Sequence, residues 1–291
     1  MNRRLAHAPL AGNTLIWGAT FTVVKSALQD ISPPLFLALR FSLATAVLAA
    51  LWLGGWGGHK ADRRALTGGI LTGFLLFAGF LLQTLGLQYT TPPKSAFLTG
   101  LASVMVPLLA ALVYRNKPQA SEVLGVLVAT AGLGLMTLEG PIGSIGKGDL
   151  LTLFCALAFA GQIVTLGHYS EKASYEALSV IQVGTSGVLA LALWGWSRPA
   201  HVEWHPGVIY AILVTGLLAT ALAFTVQAWA QKFTSSTRTA LIYMLEPVFA
   251  WLISYWALGE GLAGRAVVGA VLILGGVVLV EVKPMSTRLH P

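Results

Sequence analysis

Charge is what this sequence has least of. Of its 291 residues, 10% are Asp, Glu, Lys or Arg, against about 25% in an ordinary soluble domain. Apolar residues make up 56%, and the mean hydropathy is +0.75. A chain this apolar cannot cover a water-facing surface with polar groups, which excludes a water-soluble enzyme and a disordered chain. The eleven acids are scattered along the chain, without the cluster that an integral membrane enzyme needs. Cysteine is nearly absent too. Cys155 stands alone within LLTLFCALAFAG, which excludes an intramolecular disulfide and a Cys-based structural zinc site. It reads as a small buried hydrophobe. No G-x-x-x-x-G-K-[ST] motif is present, so ATP does not drive the protein from within this chain. No cofactor is expected. The net charge of +7 would suggest nucleic acid in a soluble protein. Here the 18 basic residues are spread thinly between apolar runs. They fit membrane topology instead, and no nucleic-acid partner is expected.

Long apolar runs are what the sequence has most of. A helix needs about 20 mainly apolar residues to cross a bilayer. Ten stretches qualify: 8–27, 33–54, 66–88, 94–114, 121–138, 148–168, 175–196, 207–230, 236–257 and 263–282. Short polar or turn-rich segments such as GGHKADRR, YTTPP and SRPAHVEWHPG separate them, and no soluble domain is left over. Helices satisfy their own backbone groups in lipid. Period-two alternation in ten-residue blocks is absent, which excludes an outer-membrane barrel. Arg3 and Arg4 open the chain as a signal peptide would, but no small-x-small cleavage site follows, so 8–27 reads as a retained span. With the N-terminus cytoplasmic, twelve Lys and Arg residues fall inside and five outside, with Arg40 left within the second span. The positive-inside rule thus places both termini in the cytoplasm of a multi-pass inner (plasma) membrane protein.

The chain also repeats itself at an offset of 144 residues. FLLQTLGLQYTTPPKSAFL (80–98) aligns with FTVQAWAQKFTSSTRTALI (224–242), matching Phe80 with Phe224, Gln83 with Gln227 and Thr90 with Thr234. The register holds without a gap to Gly125 with Gly269 and Gly132 with Gly276. Five spans per half is an odd number, so the halves, 1–143 and 144–291, have opposite orientations. The expected fold is an all-α integral membrane protein of ten transmembrane helices in two inverted five-helix repeats. Such repeats mark secondary transporters, which bind substrate near the midplane between halves.

At WGATFTVVKSAL (17–28), LALRF (37–41) and ALIYMLEPVFAWLISYWALGEGLAGRAVVGAVLILGGVVLVE (240–281) the chain resembles the EamA family of the drug/metabolite transporter superfamily. The likeness covers nearly the whole chain. It implies a ten-helix exporter of small metabolites, with helices 1–4 and 6–9 around a cavity and helices 5 and 10 peripheral. Characterised relatives include exporters of amino acids, aromatic ones among them, of drugs and of sugar nucleotides. Tyr114-Arg115-Asn116-Lys117 replaces the LGE expected after the fourth helix, so no acid role carries over there.

Within the spans, Glu246 is the most informative residue, about 15 Å along the ninth helix. A carboxylate there must face protein or water. It either binds a substrate ammonium or coupling proton, or caps backbone groups freed by Pro247. Tyr243 shares its face. Trp17 lies too deep for the interfacial belt and either lines the cavity or packs between helices. Gln83, Ser103, Gln162, Thr185 and Gln227 lie mid-span and complete the candidate substrate site, although polar groups there also serve helix packing. Arg40 either attracts a carboxylate or else snorkels to the outer interface or pairs with a helix end; the latter pair of readings is the expectation for Arg40, and for Lys25, at its helix end, snorkelling most of all. Pro107 and Pro247 are candidate gating kinks. The Gly125-Ala129-Gly132 and Gly269-Gly276 stripes are expected to hold each half's last helix to its own bundle, with a dimer interface as the alternative. His201-Val-Glu203-Trp-His205 does not match His-Glu-x-x-His and lies between prolines, so no metal is expected.

The function expected is a secondary exporter of small amphiphilic metabolites, foremost amino acids, working by alternating access. It partners a small-molecule substrate and the lipid bilayer, as a monomer, with a dimer as the alternative. A lipophilic-cation exporter is the competing reading. A membrane enzyme or passive channel ranks below both.

Overall fold

The computed structural model describes residues 4–59, 61–115, 119–137, 146–197, 201–249, 252–253 and 264–282. Its regular elements are α-helices α1 (Arg4–Ala27), α2 (Pro33–Leu53), α3 (Arg63–Tyr89), α4 (Pro92–Gly100), α5 (Ala102–Tyr114), α6 (Ala120–Thr137), α7 (Lys147–Ser170), α8 (Tyr175–Trp196), α9 (Pro206–Leu213), α10 (Ala223–Ala230), α11 (Ser236–Tyr243) and α12 (Gly264–Val282). A short 3₁₀ turn (Trp56–His59) follows α2, and a π-helix (Val214–Leu222) joins α9 to α10. No strand occurs among the described residues beyond a single bridge, Ile31 to Val202. The expected end of the ninth span at 257 lies outside the described residues. So do the LGE element at 258–260 and, from the orientation argument, Arg3, Lys60, Lys117, Arg198, Lys283 and Arg288.

The helix starts follow from local chemistry. Pro33 opens α2, where its missing N–H is not needed. Asp62 accepts from Ala65 N at 2.8 Å to cap α3, and Ser174 accepts from Ala177 N at 3.1 Å to cap α8. His205 caps α9 through Nδ1, which accepts from Gly207 N at 3.1 Å, leaving Nε2 to donate to Asp30 at 3.0 Å. That histidine therefore serves as a helix cap.

Among the described residues, six helical stretches are long and apolar enough to cross a bilayer: Pro33–Leu53, Arg63–Tyr89, Lys94–Tyr114, Lys147–Ser170, Tyr175–Trp196 and Pro206–Ala230. Ala120–Met136 and Gly264–Val280 are shorter apolar helices. The first helix is missing from the six because it is polar on its inner side. Its Asn13, Thr14 and Thr20 are all buried against protein.

Three expected spans are not uniform helices. The fourth is tightened at Leu101, whose ψ is −16°. The ninth is tightened at Met244, with ψ −8°, and Met244 N and Leu245 N bond back three residues instead of four. Pro247 explains the second kink, because it has no N–H for the Tyr243 carbonyl. The eighth widens into the π-helix at 214–222.

Glycine sets the closest helix contacts. A Cβ on Gly132 would lie 2.5 Å from the Gly269 carbonyl, and one on Gly125 would lie 2.8 Å from the Gly276 carbonyl. The pairing runs 125 with 276 and 132 with 269, so α6 and α12 are antiparallel. The two small-residue stripes therefore lock onto each other within one chain and do not each bind their own bundle. The reason is that both stripes lack side chains at the same depth, so their backbones fit. Gly86 and Gly148 similarly bring α3 against α7, the Gly148 position lying 2.8 Å from the Gly86 carbonyl.

Candidate functional site

These helices enclose a cavity of about 110 Å³. A buried water needs roughly 10–15 Å³ on this measure, so there is room for a small organic molecule. Trp17, Gln83, Ser103, Gln162, Gln227, Tyr243, Glu246 and Pro247 all line it. Thr185 does not: it faces α3, where its Cβ lies 2.6 Å from the position a Cβ on Gly73 would take. Pro107 is buried in α5, away from the cavity. α8 contributes no lining residue, whereas Leu133 of α6 does, so the lining departs in both respects from the resemblance.

The walls are aromatic. Trp17 stands edge-on to Tyr243, with centroids 4.8 Å apart, and tilts against Phe224 at 5.5 Å. Phe80 continues the chain, at 5.8 Å from Phe224 and 5.1 Å from Phe159. Sequence reasoning missed Phe80, Phe159 and Phe224 as lining residues. A signal was there for two of them, because Phe80 and Phe224 are repeat partners.

The polar groups are held in place by side chains from several helices. Gln227 Nε2 donates to Gln162 Oε1 at 3.1 Å and to Gln231 Oε1 at 3.2 Å. Gln162 Nε2 donates to Gln182 Oε1 at 3.2 Å, and Gln231 Nε2 ends the chain on the Ile163 carbonyl at 2.9 Å. All four glutamines are buried. Their amides tie α7, α8 and α10 together, and Gln162 and Gln227 also show a face to the cavity. Gln83 Nε2 donates to Thr99 Oγ1 at 3.2 Å, and Ser103 Oγ donates to the Ala240 carbonyl at 2.7 Å. The π-helix and its end anchor α1: Trp17 Nε1 donates to the Ala219 carbonyl at 2.9 Å, and Asn13 Nδ2 to the Ala223 carbonyl at 2.8 Å. π-Helical segments are frequent at functional sites.

Among the described residues, two charged side chains line the cavity, Arg40 and Glu246. The snorkelling expected of Arg40 does not occur. Arg40 is 3% exposed, its Nε donates to Thr220 Oγ1 at 2.8 Å, and its Cζ lies 4.0 Å from the Phe80 ring centroid. A hydroxyl and an aromatic face within reach outweigh a long extension to the interface. Lys25 is held as well: its Nζ donates to the carbonyls of Leu87 and Thr90. It neutralises the free carbonyls at the α3 C-terminus, where a cation is favoured. Glu246 follows the kink at 244–245 and makes no hydrogen bond or ion pair among the described residues. Beyond the lining Leu87 and Ala96, Lys94 Nζ meets Asp149 Oδ2 at 2.6 Å, and Thr90 Oγ1 donates to Asp149 Oδ1 at 3.0 Å. At the other end His7 Nε2 and Thr234 Oγ1 are 3.1 Å apart.

Comparison with known proteins agrees with this architecture. The model of the EamA-like transporter family matches residues 8–138 and again 146–282. The chain belongs to the EamA-like transporter family. It is an integral, multi-pass membrane transporter and not an enzyme. An uncharacterized transporter of Archaeoglobus fulgidus is 35% identical over 283 residues, covering 97% of this chain and 88% of the relative. The uncharacterized transporter YyaM of Bacillus subtilis is 28% identical over 282 residues, covering 92% and 90%. A solved crystal structure superposes with a TM-score of 0.79 at 19% identity, over 96% of this chain and 98% of the other, which establishes the shared fold.

Proposed function

We propose that this EamA-like transporter is a secondary exporter of small amphiphilic metabolites, foremost amino acids including aromatic ones, working by alternating access. One observation carries the reading. Among the described residues, the same cavity joins aromatic walls and fixed amides to a cation, Arg40, and an anion, Glu246. An amino acid has the matching parts: an apolar or aromatic side chain, an ammonium and a carboxylate. A lipophilic cation suits the rings and Glu246 but is repelled by Arg40 in the same wall.

In this reading ten spans form two inverted halves, 1–143 and 144–291, in the inner membrane with both termini cytoplasmic. Several features support the halves. The family model matches each one separately. The kinks at Leu101 and Met244–Leu245 fall at repeat-related positions, since 101 and 245 are 144 apart. The packing of α3 on α7 has its counterpart in the packing of α1 on α10 and the π-helix. The monomer is the working unit, because the stripes on α6 and α12 are already used within the chain. Pro247 gates: the kink it enforces sits beside Tyr243 and Glu246 on the cavity wall. Pro247→Ala, which restores the missing donor, is expected to straighten the ninth helix and slow exchange several-fold. Unchanged rates would remove the gating role.

The functional test is counterflow in proteoliposomes with labelled Phe, Met and Thr, each with and without a pH gradient. Saturable, protein-dependent counterflow is the expected result, and a response to the gradient would identify proton coupling. Folded protein that exchanges none of the three would overturn the amino-acid assignment and leave the transporter family intact.

A further inference from the structure

We propose that Arg40 is the carboxylate anchor of the cavity, so that the transported compounds are amino acids and related carboxylates, and not amines that lack a carboxylate. This deepens the export reading above and rests on it. The geometry of the guanidinium carries it. Thr220 Oγ1 donates to the Thr215 carbonyl at 2.7 Å, and so presents a lone pair to Arg40 Nε at 2.8 Å. The Phe80 ring lies 4.0 Å from Cζ. A hydroxyl on one edge and a ring on one face fix the plane of the group. A guanidinium has five N–H donors in a rigid fork. Thr220 takes one of them. No ion pair or further hydrogen bond to Arg40 occurs among the described residues.

A cation in the membrane interior is costly and is normally paired with an acid or with backbone carbonyls. Arg40 is 3% exposed, yet it rests on two neutral groups and keeps the rest of its fork for the cavity it lines. Such a fork matches a carboxylate bidentately.

The repeat adds an independent argument. The 144-residue offset places Gly184 opposite Arg40 and Ala102 opposite Glu246. Neither charge is duplicated, and each half supplies one pole. A zwitterion with its carboxylate at Arg40 and its ammonium at Glu246 links the two halves, which is where an alternating-access carrier must sense its load.

The experiment uses the full chain in proteoliposomes, with Phe, phenylalaninamide and 3-phenylpropionate as competing probes of labelled Phe counterflow. Thermal shift is run in parallel on wild type, Arg40→Gln and Arg40→Lys. In wild type, Phe is expected to compete at least tenfold better than phenylalaninamide, the discrimination of about one charged bidentate contact, while 3-phenylpropionate, which keeps the carboxylate but has no ammonium for Glu246, competes less well than Phe and loses that competition in Arg40→Gln. Arg40→Gln should bring Phe down to the level of the amide, with unchanged thermal stability, and Arg40→Lys should fall between. Equal competition by Phe and phenylalaninamide in wild type would overturn the anchor while leaving amino-acid export in place. Equal loss of both probes in both variants, with lowered thermal stability, would make Arg40 a packing residue and overturn it as well. Wild-type protein that is folded but exchanges no Phe would remove the export reading and the anchor together.

Discussion

Glu246→Gln is expected to lower Phe counterflow at least tenfold while leaving the folded protein extractable and as heat-resistant as wild type. Glutamine keeps the shape and the hydrogen-bonding reach of the side chain and removes only the charge. Glu246 follows the kink at 244–245 and lines the cavity beside Pro247 and Tyr243. No cation is paired with it among the described residues. A carboxylate in the membrane interior is a cost to the fold unless something offsets it. Neutralising it should therefore leave stability the same or raise it slightly, while removing the attraction for an ammonium or a proton. The measurement is counterflow beside a thermal melt of the same preparation. Wild-type flux in Glu246→Gln would assign the carboxylate to the backbone around Pro247, and a collapse of the melt would do the same.

Gly132→Leu is expected to have the largest effect on the fold. A Cβ there lies 2.5 Å from the Gly269 carbonyl, 2.8 Å from Leu272 Cβ and 2.9 Å from Ile273 N. Two of those three neighbours are backbone, which cannot swing aside as a side-chain tip can. The substitution must push α6 and α12 apart and undo the matching contact of Gly125 with Gly276. Overpacking typically costs about 1–3 kcal/mol, and backbone against backbone belongs at the upper end. A fall in melting temperature of roughly 5–10 °C is expected, on the scale of about 2–4 °C per kcal/mol for a chain of 150–250 residues. Gly275→Leu is the control, since a Cβ at Gly275 meets nothing within 4 Å. It should melt as wild type does. Equal melting of the two variants would mean that α6 and α12 do not rely on this contact.

Much of the site was legible residue by residue. Trp17, Gln83, Ser103, Gln162, Gln227, Tyr243 and Glu246 were singled out because polar or aromatic groups at mid-span depth need a reason to be there. The same logic selected Thr185, which instead lies against Gly73. Depth in a span is encoded along the chain, but the direction of a side chain depends on which helices neighbour it. Arg40 shows the same limit from the other side. Its position predicted snorkelling, because the chain does not reveal that Thr220 and Phe80, 180 and 40 residues further on, wait beside it.

What the sequence determined by itself was the solvent. Scarce charge, one cysteine and long apolar runs leave a bilayer as the environment, and helices as the way to satisfy the backbone there. It also determined the 144-residue internal match and the presence of an acid and an arginine within the spans. Tertiary structure decided what those pieces do. It joined the glycine stripes of α6 and α12 to each other, turned the polar side of α1 inward and tied four glutamines into one chain. It also brought a cation from one half and an anion from the other to the same cavity. The physical reason is range. Hydropathy and helix capping act over a few residues, whereas helix packing matches surfaces more than a hundred residues apart, and no local pattern records which surfaces will meet.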